Sequence, residues 1–517
     1  MAVESVDVAG APSRPESIAP SSSLELSLEP TVTAFLGRTE RGPVNEPIEL
    51  RNFDDYRRVF GGHCAFSHLP HTVQHYFQNG GERAVVVRLT NGATHAVVDV
   101  PAGNERLRLK ARRPGSRETL RVSVDYDRVE HDAERFNLVV QRLSRSGSAV
   151  IEDQELFPAV SVSGRDARFV VDVLKSSELV SVVGPLPSRR PNATSAVHPG
   201  QAIPYLGMTA AGSDGRELTD YDVIGSKEEG TGLFALDRVE RIDLLCIPPA
   251  PERDVGTTAF VAASGYCARR RAMLIWDPPW SWEGSGDALR GIRATGIASG
   301  NALTYFPRIR PRAEYARFPA GIPACGALAG MLAAADAALL AGDRGASPLL
   351  LRASLTTAAD VGERQISMLH RFGVNALVRM QGGHVELRGN ACFAVQDTRA
   401  SPAQRLDTRR TALFVLGSLE RGTRWVCREI GADDACERLE ALVKSFMAQL
   451  HELGVLKGKR PEQAWLVRVA RRPAGAEPEI MLRVGFSLLR PEQLAIYELR
   501  FRASGMETRA VPPLDTQ

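Results

Sequence analysis

The chain has 517 residues, more than one hydrophobic core usually supports, so about three or four packed units are expected. Its 64 basic and 61 acidic residues leave a formal net charge of +3, which excludes a global field that would recruit nucleic acid or an anionic membrane. Only Lys110, Lys175, Lys227, Lys444, Lys457 and Lys459 among the basic residues are lysines; arginine suits bidentate contacts across an interface, and genome composition gives the same bias.

The seven cysteines, Cys64, Cys246, Cys267, Cys325, Cys392, Cys427 and Cys436, form no CxxC and no disulfide-scaffold spacing, so reduced, mostly buried thiols are expected. No run of about 18 uncharged apolar residues is present, and the opening MAVESVDVAG lacks the basic and apolar segments of a signal peptide. Cytoplasmic folding and assembly is the expectation, with any work outside the cell reached by lysis or as part of a particle.

Residues 1–23, rich in Pro, Ser and Ala, read as a flexible arm. Leu24, Leu26 and Leu28 alternate with Ser and Glu, a short strand pattern suited to pairing with another sheet. The segment 24–90 reads as β-α-α-β. Thr31 to Leu36 is a buried strand stopped by Gly37, and Asn52 is the N-cap of a helix carrying Phe53, Tyr56, Val59 and Phe60 on one face. Gly61-Gly62 ends that helix; Leu69, Val73, Tyr76 and Phe77 mark a second, ended by Asn79-Gly80-Gly81; Ala84 to Val87 is an internal strand.

Residues 91–200 change to short strand-like runs, LRLKA, TLRVSVDY, FNLVVQRL, AVSVSG and RFVVDVL, and read as a separate β-rich insertion domain. Within 201–349 the pattern becomes βαβ, with strands at 242–247, 273–276 and 302–306 and helices near 255–271, 286–299 and 324–341, implying a parallel sheet covered on both faces. Residues 350–500 are mixed α+β: a hairpin around Gln381-Gly382-Gly383, a helix near 434–453, and strands at 464–469 and 480–488. Tyr497, Leu499 and Phe501 alternate with charged residues as a half-exposed strand before a C-terminal arm, 501–517.

The chain has no GxxxxGK[ST], no GxGxxG after a strand, no HExxH and no GxSxG. No histidine lies between His198 and His370, so the α/β segment cannot assemble a Ser-His-Asp or Cys-His site from itself. Asp277, which follows a buried strand, reads as a turn residue before Pro278. His63, His71 and His75 are the candidate metal ligands, close to Cys64 and His68, but their irregular spacing and the apolar pattern around them favour surface decoration. Lys457, Lys459 and Arg460 form a basic stretch without serial aromatic positions, which favours a solvated or protein-facing patch over a nucleic-acid groove.

The run VTAFLGRTERGPVNEPIELRNFDDYRRVFGG, followed by HYFQNGGERAVVVRL, resembles the N-terminal core of contractile tail sheath proteins of phages, R-type pyocins and extracellular contractile injection particles. RIDLLCIP, GYCARRRAMLIWDPP and ACGALAGMLAAADAAL resemble the family's subtilisin-like domain, and LDTRRTALFVLGSLERGTRWV with LHELGVLKGKRPEQAWLVRV its C-terminal domain. The chain lacks a PGVYVEE-like signature before its first core strand, and GDRGASPLLLRASL stands where relatives carry a more regular segment.

The resemblance implies an α/β and α+β multidomain protein: a split α+β core, a β-rich insertion and a subtilisin-like α/β domain without a protease site. It implies a structural subunit, not an enzyme, with no cofactor, that polymerises as helically stacked hexameric rings around an inner tube and contracts to drive the tube through an envelope. Its implied partners are itself, the tube, and baseplate and terminator proteins, with no nucleic acid and no membrane insertion, in a phage tail or phage-like extracellular particle. Leu24, Leu26 and Leu28 at one end and Tyr497, Leu499 and Phe501 at the other are the implied strand-pairing positions, with Lys457, Lys459 and Arg460 a tube-facing patch. The other classes open at this point are a non-contractile or baseplate-associated module and a hydrolase.

Overall fold

The computed structural model describes residues 30–129, 134–144, 150–194, 204–295, 299–314, 317–341, 349–352, 354–393, 405–472 and 478–511. Leu24, Leu26 and Leu28 lie outside the described residues. The described residues divide into two compact units, one up to Leu413 and one from Phe414 onward.

The larger unit begins with β1 (Val32–Gly37), β2 (Pro47–Leu50), α1 (Phe53–Phe60), α2 (Leu69–Gln78) and β3 (Arg83–Arg88). The expected β-α-α-β order is present, with β2 added as a short antiparallel neighbour of β3. Asn52 accepts the Asp55 backbone N–H at 2.8 Å, and Gly61 closes α1 at φ 85°, a conformation costly for residues with a Cβ. Tyr56 and Phe60 bury the inner face of α1, with Phe53 and Val59 packed beside them.

An insertion follows: β4 (His95–Ala102), β5 (Glu105–Pro114), β6 (Thr119–Asp125), β7 (Arg135–Leu143), β8 (Ile151–Ser161), α3 (Val170–Val173), β9 (Val180–Val182) and β10 (Leu206–Gly207). Its strands form two sheets, β4-β5-β9 and β10-β6-β7-β8, around one apolar cluster. The run RFVVDVL is a short helix here and not a strand. Asp166 turns the chain by accepting the Arg168 N–H at 2.8 Å, and Val170 and Leu174, four residues apart, then enter the core together.

The α/β part comprises α4 (Asp220–Ile224), β11 (Leu244–Cys246), α5 (Thr257–Arg270), β12 (Met273–Ile275), α6 (Ser285–Thr295), β13 (Ala302–Phe306), β14 (Ile309–Pro311), α7 (Cys325–Leu340), β15 (Leu355–Thr357), α8 (Glu363–Arg371), β16 (Val374–Arg379) and β17 (Val385–Arg388). One eight-stranded sheet runs β17-β16-β13-β12-β11-β1-β3-β2, parallel except at its two edge strands.

This sheet corrects the expected split core. The opening unit joins the α/β segment directly through β1 and β11, and the strands from Trp465 onward form a sheet of their own and do not complete it. A strand buried as fully as β1 needs a main-chain partner on both edges, and β3 and β11 provide them. The hairpin β16-β17 belongs to the same sheet, so residues 374–388 are part of it as well.

Alternation along the strands feeds two cores. Phe35, Ala84 and Val86 face the cluster holding α2 and α7, whereas Val32, Ala34, Leu36, Val85 and Val87 face the cluster holding α5, α6 and α8. Against the sheet, α2 and α7 pack unusually closely. A Cβ at Gly326 would collide with the Thr72 carbonyl oxygen, and one at Gly330 with the Tyr76 carbonyl oxygen.

The chain continues through α9 (Leu406–Gly422), α10 (Trp425–Arg428), α11 (Ala435–Glu452), α12 (Pro461–Ala464), β18 (Trp465–Arg472), β19 (Glu479–Ser487), β20 (Leu494–Arg502) and β21 (Gly505–Val511). The last four strands form an antiparallel meander in sequence order. Among the described residues no helix is long and apolar enough to cross a membrane.

Candidate assembly surfaces

The β18–β21 meander has one apolar and one charged face because its four strands alternate in step. Val467, Leu482, Val484, Leu499 and Phe501 are buried on one side, and α11 packs against β18 through a stripe containing Leu439, Val443, Phe446 and Leu450. On the other side Arg468, Arg483, Glu498 and Arg509 stand in register across all four strands.

Glu498 is only 1% exposed and accepts hydrogen bonds from Arg500 at 2.8 Å, Arg509 at 2.7 Å and Arg483 at 3.1 Å. Burial pushes its carboxyl up, but the hydrogen bonds from Arg500, Arg483 and Arg509 outweigh it and hold the group at about 2. Glu479 organises a second knot by accepting from Arg502 at 3.2 Å.

Tyr497, Leu499 and Phe501 lie on β20, which is hydrogen-bonded to β19 on one side and β21 on the other. They therefore do not form a free edge, which corrects their assignment as strand-pairing positions. Residues 505–511 likewise form β21 and not an arm. Among the described residues the open edges of this sheet are those of β18 and β21, each paired on one side only. The signal missed in the sequence was Ala503-Ser504 followed by Gly505 between two alternating runs, a two-residue hairpin turn with Gly505 opening β21 at φ 143°.

Lys457, Lys459 and Arg460 are exposed on the connection between α11 and α12, and among the described residues none has a carboxylate within salt-bridge distance. The His451 ring lies 2.9 Å from the Gly458 carbonyl and braces this loop. The three cations are brought together by the chain itself, and the loop presents them to solvent.

The histidines behave differently from the surface decoration expected. His68, His71 and His75 are buried, with the His71 ring tilted at 4.1 Å from the His63 ring and edge-on at 5.0 Å from Phe318. His63 meets the Gln74 amide at 3.0 Å and His75 meets the Gln78 amide at 3.1 Å. Burial, followed by His63 and His68, lowers the His71 pKa to about 3, and burial with Arg308 lowers that of His68 to about 4. The His68 and His71 rings are therefore neutral packing elements at the start of α2, whereas His63 is exposed. Among the described residues no group of three or more His, Cys, Asp or Glu side chains is arranged to hold a metal ion.

Asp277 is more than a turn residue: its Oδ1 accepts the Ala324 and Cys325 backbone N–H groups at 2.7 and 3.0 Å, capping α7 from the end of β12. Burial raises its pKa to about 6.

No protein-family profile matches the chain, and no curated protein matches it by sequence. Solved structures do match in fold. The sheath tail protein of Listeria innocua aligns with a TM-score of 0.63 at 10% identity, covering 92% of this chain and 96% of that one. The sheath tail protein of Desulfitobacterium hafniense aligns at 0.52 and 11% identity, covering 93% and 95%. The PVC sheath complex of an extracellular contractile injection system, solved in its contracted state, aligns at 0.51 and 14% identity, covering 94% and 96%. At these identities the likeness is one of fold, and it extends over nearly the whole of each chain.

Proposed function

We propose that this chain is the structural subunit of a contractile sheath, polymerising around an inner tube and shortening to drive the tube through a target envelope. The observation that carries the reading is the end-to-end fold likeness to sheath proteins, which takes in both units and the β-rich insertion. In this reading the parallel-sheet segment is the subtilisin-like part of the subunit, by fold only and without a protease site. The partners are further copies of the chain, an inner tube protein and baseplate proteins, in a phage tail or an extracellular particle.

The β18–β21 meander supports the reading physically. Main-chain pairing along its open edges tolerates side-chain variation and survives rotation of rigid bodies, which suits a lattice that must rearrange without dissolving. Its charged face and the cluster of Lys457, Lys459 and Arg460 supply cations for an acidic tube surface. The segment with Leu24, Leu26 and Leu28 is the strand that would add to a neighbour's open edge.

Negative-stain microscopy of the purified chain, alone and with a tube protein encoded beside it, tests the proposal. Long cylinders of two lengths and diameters are expected; closed single rings under every condition would instead indicate a non-contractile module. A chain lacking residues 1–30 is expected to fold and to assemble poorly, and normal assembly by it would remove the strand-addition step.

A further inference from the structure

The eight-stranded sheet reverses its winding direction between β1 and β11. From β1 the chain moves to β3 through α1 and α2 on one face, whereas β11 leads through α5 on the opposite face to β12, on its other side. Two neighbouring parallel strands whose connections leave to opposite faces open a crevice beyond their C-terminal ends, the place where open α/β sheets hold ligands. Here that crevice is a cleft of about 250 Å³, bounded by Gly37 at the end of β1, Arg38 just after it, and Pro248 and Pro249 after β11.

The lining has a defined chemistry. Leu218, Val255 and the prolines provide stiff apolar walls. Three carboxylates in the lining are already engaged: Glu217 is ion-paired to Arg253, Asp254 accepts the Trp280 N–H at 2.7 Å, and Asp220 caps α5 by accepting the Gly256 and Ala259 N–H groups at 3.0 and 3.1 Å. Arg38 is the exception. Its guanidinium lies 4.6 Å from the centre of the Phe66 ring, gives a hydrogen bond to the Asp214 carbonyl at 3.3 Å, and among the described residues has no carboxylate within salt-bridge distance. A half-buried arginine laid flat on an aromatic ring keeps its planar fork available for a bidentate anion.

We propose that this switch-point cleft binds a small organic monocarboxylate with an aryl or branched aliphatic body, its carboxylate on Arg38 and its body between Leu218, Val255 and the proline wall. The carboxylates that share the lining leave a second negative charge unfavourable, so dicarboxylates are disfavoured. The proposal does not rest on the sheath reading and would stand in a chain that never assembled.

The test is titration of the full chain with benzoate, isovalerate, succinate and the neutral isostere benzamide, by calorimetry and ligand-observed NMR. Saturable binding of the two monocarboxylates is expected, with succinate and benzamide at least about tenfold weaker. Arg38→Met is expected to abolish the preference for benzoate over benzamide while leaving the far-ultraviolet spectrum unchanged. Leu218→Trp fills the cleft by a different route and is expected to remove binding of both, and Arg57→Met on exposed α1 is expected to change nothing. The proposal is overturned by the absence of saturable binding, by equal binding of benzoate and benzamide, or by Arg38→Met altering self-association in sedimentation while benzoate neither binds nor competes. The last result would make Arg38 a contact between copies.

Discussion

Gly330→Ala separates helix propensity from tertiary packing by the sign of its effect. Gly330 lies inside α7, where replacing glycine by alanine in an unencumbered helix stabilises by about 1 kcal/mol. In this fold the new methyl would meet the Tyr76 carbonyl oxygen and approach the Asn79 Cβ to 3.2 Å. Overpacking of this kind costs about 1–3 kcal/mol, and the upper half applies because the obstacle is α2 backbone and not a side chain that can rotate away. The net expectation is destabilisation by about 1–2 kcal/mol. The internal control is Gly265→Ala in α5, where the added methyl meets nothing nearer than the Arg269 guanidinium at 3.9 Å. That variant is expected to stabilise by up to about 1 kcal/mol. Urea unfolding monitored by tryptophan fluorescence, with unchanged m-values, measures the separation of about 2–3 kcal/mol between the two. A Gly330→Ala chain as stable as Gly265→Ala would refute the close α2–α7 packing.

Glu498→Gln removes the charge that three arginines share on the outer face of the meander. Breaking such a buried cluster costs about 3–5 kcal/mol when the partners are fully buried. With Arg483 and Arg509 partly exposed, about 2 kcal/mol is expected, seen as faster hydrogen exchange in β19 and β20. Acid sensitivity should follow the buried imidazoles. The folded pKa values of His68 and His71 lie below the unfolded value of 6.5, so the unfolded chain binds more protons across that interval. Their contribution is complete above pH 6.5 and is lost as pH falls toward about 3–4. His71→Leu is expected to keep stability at pH 7 and to flatten the decline between pH 6.5 and 4; an unchanged slope in pH-dependent thermal unfolding would count against burial of a neutral ring. Asn52→Ala should cost about 1 kcal/mol through loss of the α1 cap, measured by the same unfolding assay.

Local chemistry was readable wherever one segment carries its own signal. The Asn52 cap, the Gly61 stop, the apolar stripe of α11 and the hairpin joining β16 to β17 follow from spacing and turn residues a few positions apart. RFVVDVL was not readable in this way, because β-branched residues favour a strand and only the insertion core rewards Val170 and Leu174 on one helical face. Histidines spaced along α2 suggested ligands or decoration; contacts from Trp280 and Phe318, more than 200 residues away in sequence, made His68 and His71 core residues.

The candidate surfaces divide in the same manner. Lys457, Lys459 and Arg460 are neighbours in sequence and remain together in space, whereas Tyr497, Leu499 and Phe501 gave no indication of whether their strand was central or marginal. Edge status belongs to a sheet and not to a strand: it was decided by β21 folding back onto β20. The β1–β11 crevice has no sequence signature at all, since it exists only because strands more than 200 residues apart lie side by side.

Sequence alone determined the alternation of strand and helix, the position of the β-rich insertion and the resemblance to sheath proteins, because backbone propensity, capping and hydrophobic period act over a few residues. Tertiary structure decided which strands share a sheet, which edges stay open, which histidines are buried and that Arg38 and the prolines line one cleft. Those outcomes depend on long-range pairing of main-chain groups and on exclusion of water, and neither is encoded at any single position.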